Sequence, residues 1–156
     1  MECGFILITN NTSYIIHYLC IAMTTIDNRY ESGLEKIKRI YGKSWDVKFL
    51  DDISSDRIGR WTVEFLFGDV YDESKLDARS RQIAIIAALT ALGNANNNTP
   101  LKIHINGALN VGCSRQEIIE IMGEMAAYAG FPAAVNGLSA AREVFKERDQ
   151  DGKNET

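Results

Sequence analysis

Asp77-Ala78-Arg79-Ser80-Arg81-Gln82, the run Ile83-Ala84-Ile85-Ile86-Ala87-Ala88-Leu89-Thr90-Ala91-Leu92, and Gly93 decide the fold class. Asp77 suits an N-cap, because its short carboxylate accepts from backbone N–H groups left over in a helix's first turn. Gly93 suits the other end, because glycine turns left-handed without a steric penalty. From Ile83 to Leu92 nine of ten residues are apolar. A helix apolar all round is buried on all sides, in a core or between subunits.

The same punctuation continues in both directions. Asn94 to Asn98 is a polar turn. Thr99 then caps a helix with Pro100 at its first position, running to Val111 and stopping at Gly112. Ser114-Arg115-Gln116-Glu117 is a capping box for a helix that ends near Gly130. Pro132 opens the last helix, which fades into a polar tail from Arg148. Upstream, Ile26 to Tyr41 carries Leu34, Ile37 and Tyr41 at helical spacing, with Gly42 as a stop. Trp45 to Ile53 is a shorter candidate. Ser54 or Ser55 caps a segment in which Ile58, Trp61, Phe65 and Leu66 form a stripe ending at Gly68. No alternating run competes beyond residue 22, and no internal repeat occurs. The expected fold is all-α, with five to seven helices.

A chain of 156 residues is one domain by size. Its net charge of -4, with both signs interspersed, argues against a nucleic-acid partner but not against a small anionic substrate. Cys3, Cys20 and Cys113 are odd in number and widely spaced, with no CxxC pair, which argues against a disulfide framework and a four-ligand zinc site. Free thiols in a reducing cytoplasm are expected. Neither apolar run of residues 1–22 approaches the ~20 residues that span a bilayer, and no Lys or Arg precedes the second. That segment is expected to be an accessory or disordered extension, or to precede a misplaced start at Met23. The helical domain is then 23–148, followed by the tail 149–156.

Three side chains stand out for chemistry. Arg79 and Arg81 lie in a helix's first turn, where a cation opposes the macrodipole at a cost of about 0.3–1 kcal/mol. Compensation comes either from Asp69, Asp72, Glu73 or Asp77, or from an anionic ligand held by the helix N-terminus and a guanidinium fork. His104 lies in an apolar helix beside the small residues Gly107 and Ala108. It reads either as a hydrogen-bonded core residue or as an acid or base near neutral pH, with room beside it for a ligand or a close helix. Cys113 sits near a helix N-terminus that would lower its pKa, yet has no cysteine neighbour; it reads as structural. Tyr128 and Asn136 offer hydrogen bonds or simply pack. No nucleotide, zinc-protease or hydrolase motif is present.

The order and spacing of several pieces resemble the carboxymuconolactone decarboxylase family. They are Phe67-Gly68-Asp69-Val70-Tyr71, Leu76-Asp77-Ala78-Arg79-Ser80-Arg81, Ala91-Leu92-Gly93 and Leu101 to Gly112, then Glu117-Ile118 with Glu120, and Tyr128 to Asn136. The resemblance covers about Trp61 to Val144. It implies an AhpD-like helical fold assembled into homo-oligomeric rings, hexamers or trimers. It also implies decarboxylation of 4-carboxymuconolactone to 3-oxoadipate enol-lactone, or a related reaction, with no metal or organic cofactor. Arg79, Arg81 and His104 match the positions that seat carboxylates and move a proton. Many members carry Arg-Pro-Gly where this chain has Glu73-Ser74-Lys75, so Lys75 is the candidate substitute cation, with Tyr128 and Asn136 as further substrate-binding candidates. The related alkylhydroperoxidase branch places a CxxC where this chain has Asn97 to Pro100, so that thiol chemistry is not available there. The alternatives are a peroxiredoxin-related redox protein using Cys113, and a non-catalytic oligomer that binds a small ligand.

Overall fold

Helix ends fall where capping chemistry puts them. The computed structural model describes residues 28–42, 57–73, 75–93 and 99–154, and among these every regular element is helical. Helix α1 is 28–41, α2 is 57–73, α3 is Ala78–Leu92, α4 is Thr99–Asn110, α5 is Arg115–Tyr128 and α6 is Phe131–Asn154. Asp77 accepts from the Ser80 amide at 2.8 Å, and Gly93 closes α3 with φ 59°. Ser114 and Glu117 form the reciprocal capping box of α5. The extension 1–22, the candidate helix Trp45–Ile53, the caps Ser54 and Ser55, and the turn Asn94–Asn98 lie outside the described residues.

The chain divides into two compact units, residues 1–36 with 47–73, and residues 37–46 with 74–156. In the first, α2 does not stop at Gly68. It is α-helical at Arg57–Trp61, π-helical at Thr62–Val70 and α-helical again at Tyr71–Glu73. The wider i→i+5 turn changes which residues share a face. Val63, Phe67 and Tyr71 turn inward; of the expected stripe, Ile58, Trp61 and Phe65 are exposed, Trp61 to 59%, and Leu66 is half-buried. Gly68 serves closeness rather than termination, because a Cβ there would lie 2.6 Å from the Arg29 carbonyl oxygen. Gly33 does the same from α1: its Cβ would run into the Val63 carbonyl oxygen and lie 2.9 Å from Val63 Cγ1. Arg29 pairs with Asp69, and Lys36 with Asp72 at 2.6 Å, across the same contact.

Gly33→Ala is therefore expected to destabilise the protein. Overpacking costs about 1–3 kcal/mol, more than the roughly 1 kcal/mol that alanine gains in helix propensity. A urea midpoint equal to or above that of the wild type would contradict the close crossing.

In the second unit, Ile86 of α3, Leu101 and Ile105 of α4, Ile118 and Met122 of α5 and Val144 of α6 make a dry core. Helix α3 is not buried all round within the chain. Gln82, Ile86 and Thr90 are buried, whereas Ala84, Ala88 and Ala91 are exposed and Leu92 is 75% exposed. The reason is that α4, α5 and α6 all pack against α3, and together they cover only this face. Helix α6 runs on to Asn154, past the Arg148 at which periodicity fades. Side-chain bonds tie this stretch down: Arg148 donates to Asn106 Oδ1 at 2.7 Å, and Arg115 to Asp149 at 2.5 Å. Among the described residues no helix is long and apolar enough to cross a membrane.

Candidate functional site

Helix α4 sends Leu101 and Ile105 into the core and leaves His104 beside them, partly buried. The space next to it is taken by a close helix end rather than left open at Gly107. A Cβ on Gly107 would lie 2.6 Å from Tyr41 Cε1 and 3.3 Å from Ile40 Cγ2, both near the end of α1. The Tyr41 ring meets the imidazole edge-on, with centroids 5.8 Å apart. Its hydroxyl is 3.0 Å from His104 Nδ1. Gln82 of α3, with no accessible surface, places Oε1 3.0 Å from the same nitrogen. Gln82 Nε2 donates to the Tyr41 hydroxyl at 3.3 Å. Three polar side chains from three helices thus close a triangle around one ring nitrogen.

Burial pushes the His104 pKa down from 6.5 to about 4, so the ring is neutral at pH 7. A buried, perturbed histidine with specific partners is the type of group that marks a functional site.

Arg79 occupies the turn of α3 before Gln82. It pairs with Glu117 of α5. The other oxygen of that carboxylate accepts from the Ser114 amide at 2.8 Å and from its hydroxyl at 3.0 Å. The Ser114 amide first, then its hydroxyl and the Arg79 guanidinium hold the Glu117 carboxyl below the usual range. The charge in the first turn of α3 is thus compensated chiefly by a residue 38 positions on, not by the acids just upstream. Of those, Asp69 is taken by Arg29 and Asp72 by Lys36.

Cys113 is buried, and desolvation pushes its thiol up despite the nearby Arg79 charge. The lowering expected from a helix N-terminus is not seen, because burial disfavours the thiolate. This removes the support for a reactive lone thiol.

Arg81 donates to the Leu76 carbonyl at 3.2 Å. Lys75 and Asn136 are exposed, and Tyr128 is 81% exposed. Within one chain the structure therefore groups His104 with Tyr41 and Gln82, and Arg79 with Glu117. It places Lys75, Tyr128 and Asn136 at the surface. Among the described residues no group of three or more His, Cys, Asp or Glu side chains is placed to hold a metal ion.

Tyr41 and Gln82 are the site residues that sequence reading passes over. Tyr41 reads as one more apolar position of α1. Gln82 carried a usable signal, since it is a polar residue four before Ile86 and eight before Thr90 on what proves to be the buried face of α3.

The family model described as "Carboxymuconolactone decarboxylase family" matches residues 56–143. The chain is 29% identical over 124 residues to a 4-carboxymuconolactone decarboxylase of Acinetobacter baylyi, covering 78% of this chain and 90% of that protein. It is 30% identical over 104 residues to an uncharacterized 15.0 kDa protein from the nqo9-nqo10 intergenic region of Paracoccus denitrificans, covering 67% of this chain and 73% of that protein.

Proposed function

Because the chain belongs to the carboxymuconolactone decarboxylase family, we propose that it removes CO2 from a small anionic lactone, 4-carboxymuconolactone or a close relative. The observation that carries this reading is the layout of α3. Arg79 and Gln82 are three residues apart, so their Cβ atoms are about 5–6 Å apart on one face. A cation able to seat a carboxylate thus stands one turn from the side chain that holds His104.

Decarboxylation breaks the C–C bond to the carboxylate and leaves its electron pair on the lactone, delocalised into the ring carbonyl. CO2 departs, and a proton must reach the resulting carbanion. In this reading Arg79 and Arg81, at the positive end of α3, bind the substrate's carboxylates. Glu117 gives up part of its hold on Arg79 as the substrate enters.

His104 moves the proton. With a pKa of about 4 it is a base in the free protein rather than a ready acid. A carboxylate brought beside it favours the protonated form, so the ring takes up a proton as the substrate binds and then delivers it to carbon. Lys75, Tyr128 and Asn136, exposed in one chain, join such a site from a neighbouring copy in a homo-oligomer, a hexamer or trimer. The exposed apolar faces of α3 and of Phe131 and Val135 support that assembly. A cytoplasmic location suits the free Cys113 thiol.

The test is direct. The full chain, given 4-carboxymuconolactone, is expected to release one CO2 for each lactone consumed. If a folded protein binds the lactone or related anions without releasing CO2, it is a ligand-binding relative and the enzymatic reading fails.

A further inference from the structure

The triangle around His104 has a chemical consequence that lies in its handedness. Nδ1 faces two partners, Gln82 Oε1 and the Tyr41 hydroxyl, each at 3.0 Å. Gln82 has no accessible surface, so its carbonyl oxygen has no water to accept from. A buried acceptor left without a donor is costly, because it has given up its water and gained no partner. The group at hydrogen-bond distance from Oε1 is the imidazole Nδ1, which satisfies a carbonyl oxygen only when it carries the proton. The Gln82 amide, meanwhile, donates away from the ring, to the Tyr41 hydroxyl at 3.3 Å.

The geometry points to Gln82 as a positioning residue: it fixes His104 as the Nδ1–H tautomer, so that the lone pair sits on Nε2, the nitrogen turned away from Tyr41 and Gln82. The amide lies with its nitrogen toward the Tyr41 hydroxyl and its oxygen toward the imidazole. The second nitrogen of a histidine is generally set by the bond the first one makes. The choice of glutamine matters. A carboxylate at this position would also accept from Nδ1–H but would stabilise the imidazolium. A neutral amide sets the tautomer and leaves the ring uncharged. The groups facing His104 are accordingly uncharged: Tyr41 from α1 and Gln82 from α3. On α6, which packs against α4, Glu143 is held by Lys102, and Arg148 is held by Asn106 and Asn110.

This inference rests on the proposed role of His104 for its meaning, but not for its test. The chain has two histidines, so the ring nitrogens of a 15N-labelled protein are readily assigned by comparison with His104→Gln. At pH 7, without substrate, Nδ1 is expected to appear protonated and Nε2 unprotonated. Gln82→Glu is expected to keep that tautomer and to raise the His104 pKa by about one to three units. The acid limb of any pH–rate profile should rise with it. Gln82→Leu is expected to release the tautomer and lower turnover at least tenfold.

A wild-type ring protonated on Nε2 overturns the inference, as does a Gln82→Glu protein with an unchanged pKa. If Gln82→Leu does not fold, the wild-type spectrum and the Gln82→Glu titration still decide. A protein that shows the expected tautomer but releases no CO2 fails the functional reading alone.

Discussion

Replacing His104 with glutamine is expected to lower turnover roughly 100- to 10,000-fold, the range that a positioned acid–base group contributes. Glutamine keeps a polar atom near the Nδ1 position and can still meet Gln82 and Tyr41, but it cannot take up and return a proton. At pH 7 the native ring is neutral, so the substitution removes no charge and the melting temperature should hardly move. The measurement is steady-state kinetics beside thermal unfolding of the same preparation. Retention of full activity, or an unfolded variant, makes His104 a packing residue of the core and removes it from the mechanism.

The second large effect is on acid stability. His104 has a folded pKa of about 4 against an ordinary 6.5. Between those values the unfolded chain binds a proton that the native state refuses, so stability rises with pH across this window. The contribution is complete above about pH 6.5 and is lost as pH falls towards 4. It amounts to about 3 kcal/mol at 1.36 kcal/mol per unit, a large part of a typical 5–15 kcal/mol total. Glu117 and Asp72, whose carboxyls are held low by their partners, also lose their contributions on acidification, at lower pH. Urea unfolding at about pH 7, 5 and 4 of wild type and His104→Gln separates these. The wild type should lose about 3 kcal/mol more than the variant. Equal losses in both would show that the ring is solvated in the native state.

The helix boundaries were legible because their chemistry is local. Asp77 with Ser80, and Ser114 with Glu117, need only three residues of chain to satisfy each other. Gly68 was misread because a glycine that ends a helix and one that lets another helix approach look alike in sequence. Only the Arg29 carbonyl, 39 residues away in the chain, distinguishes them. Ile58, Trp61 and Phe65, expected inside, lie outside, while Val63 and Phe67 of the π-helical stretch turn inward.

At the site, His104 was legible as the lone imidazole of the helical region, whereas its partners were not. Gln82 and Tyr41 are 22 and 63 residues distant, and no spacing rule joins them. Arg79 was legible as a misplaced cation, but its counter-charge came from the cap of another helix.

The bond between Tyr41 and His104 spans 63 residues, whereas Gln82 and His104 are 22 apart. Closing the longer loop costs about 0.9 kcal/mol more, by the logarithmic growth of closure entropy. The hairpin of α3 and α4 can form early from nearby chain, while the end of α1 has to return across a long stretch. Of the two contacts that hold the imidazole, the one to Gln82 is therefore the cheaper to close, and the one to Tyr41 ties the far end of α1 to a pair that local chain can already bring together.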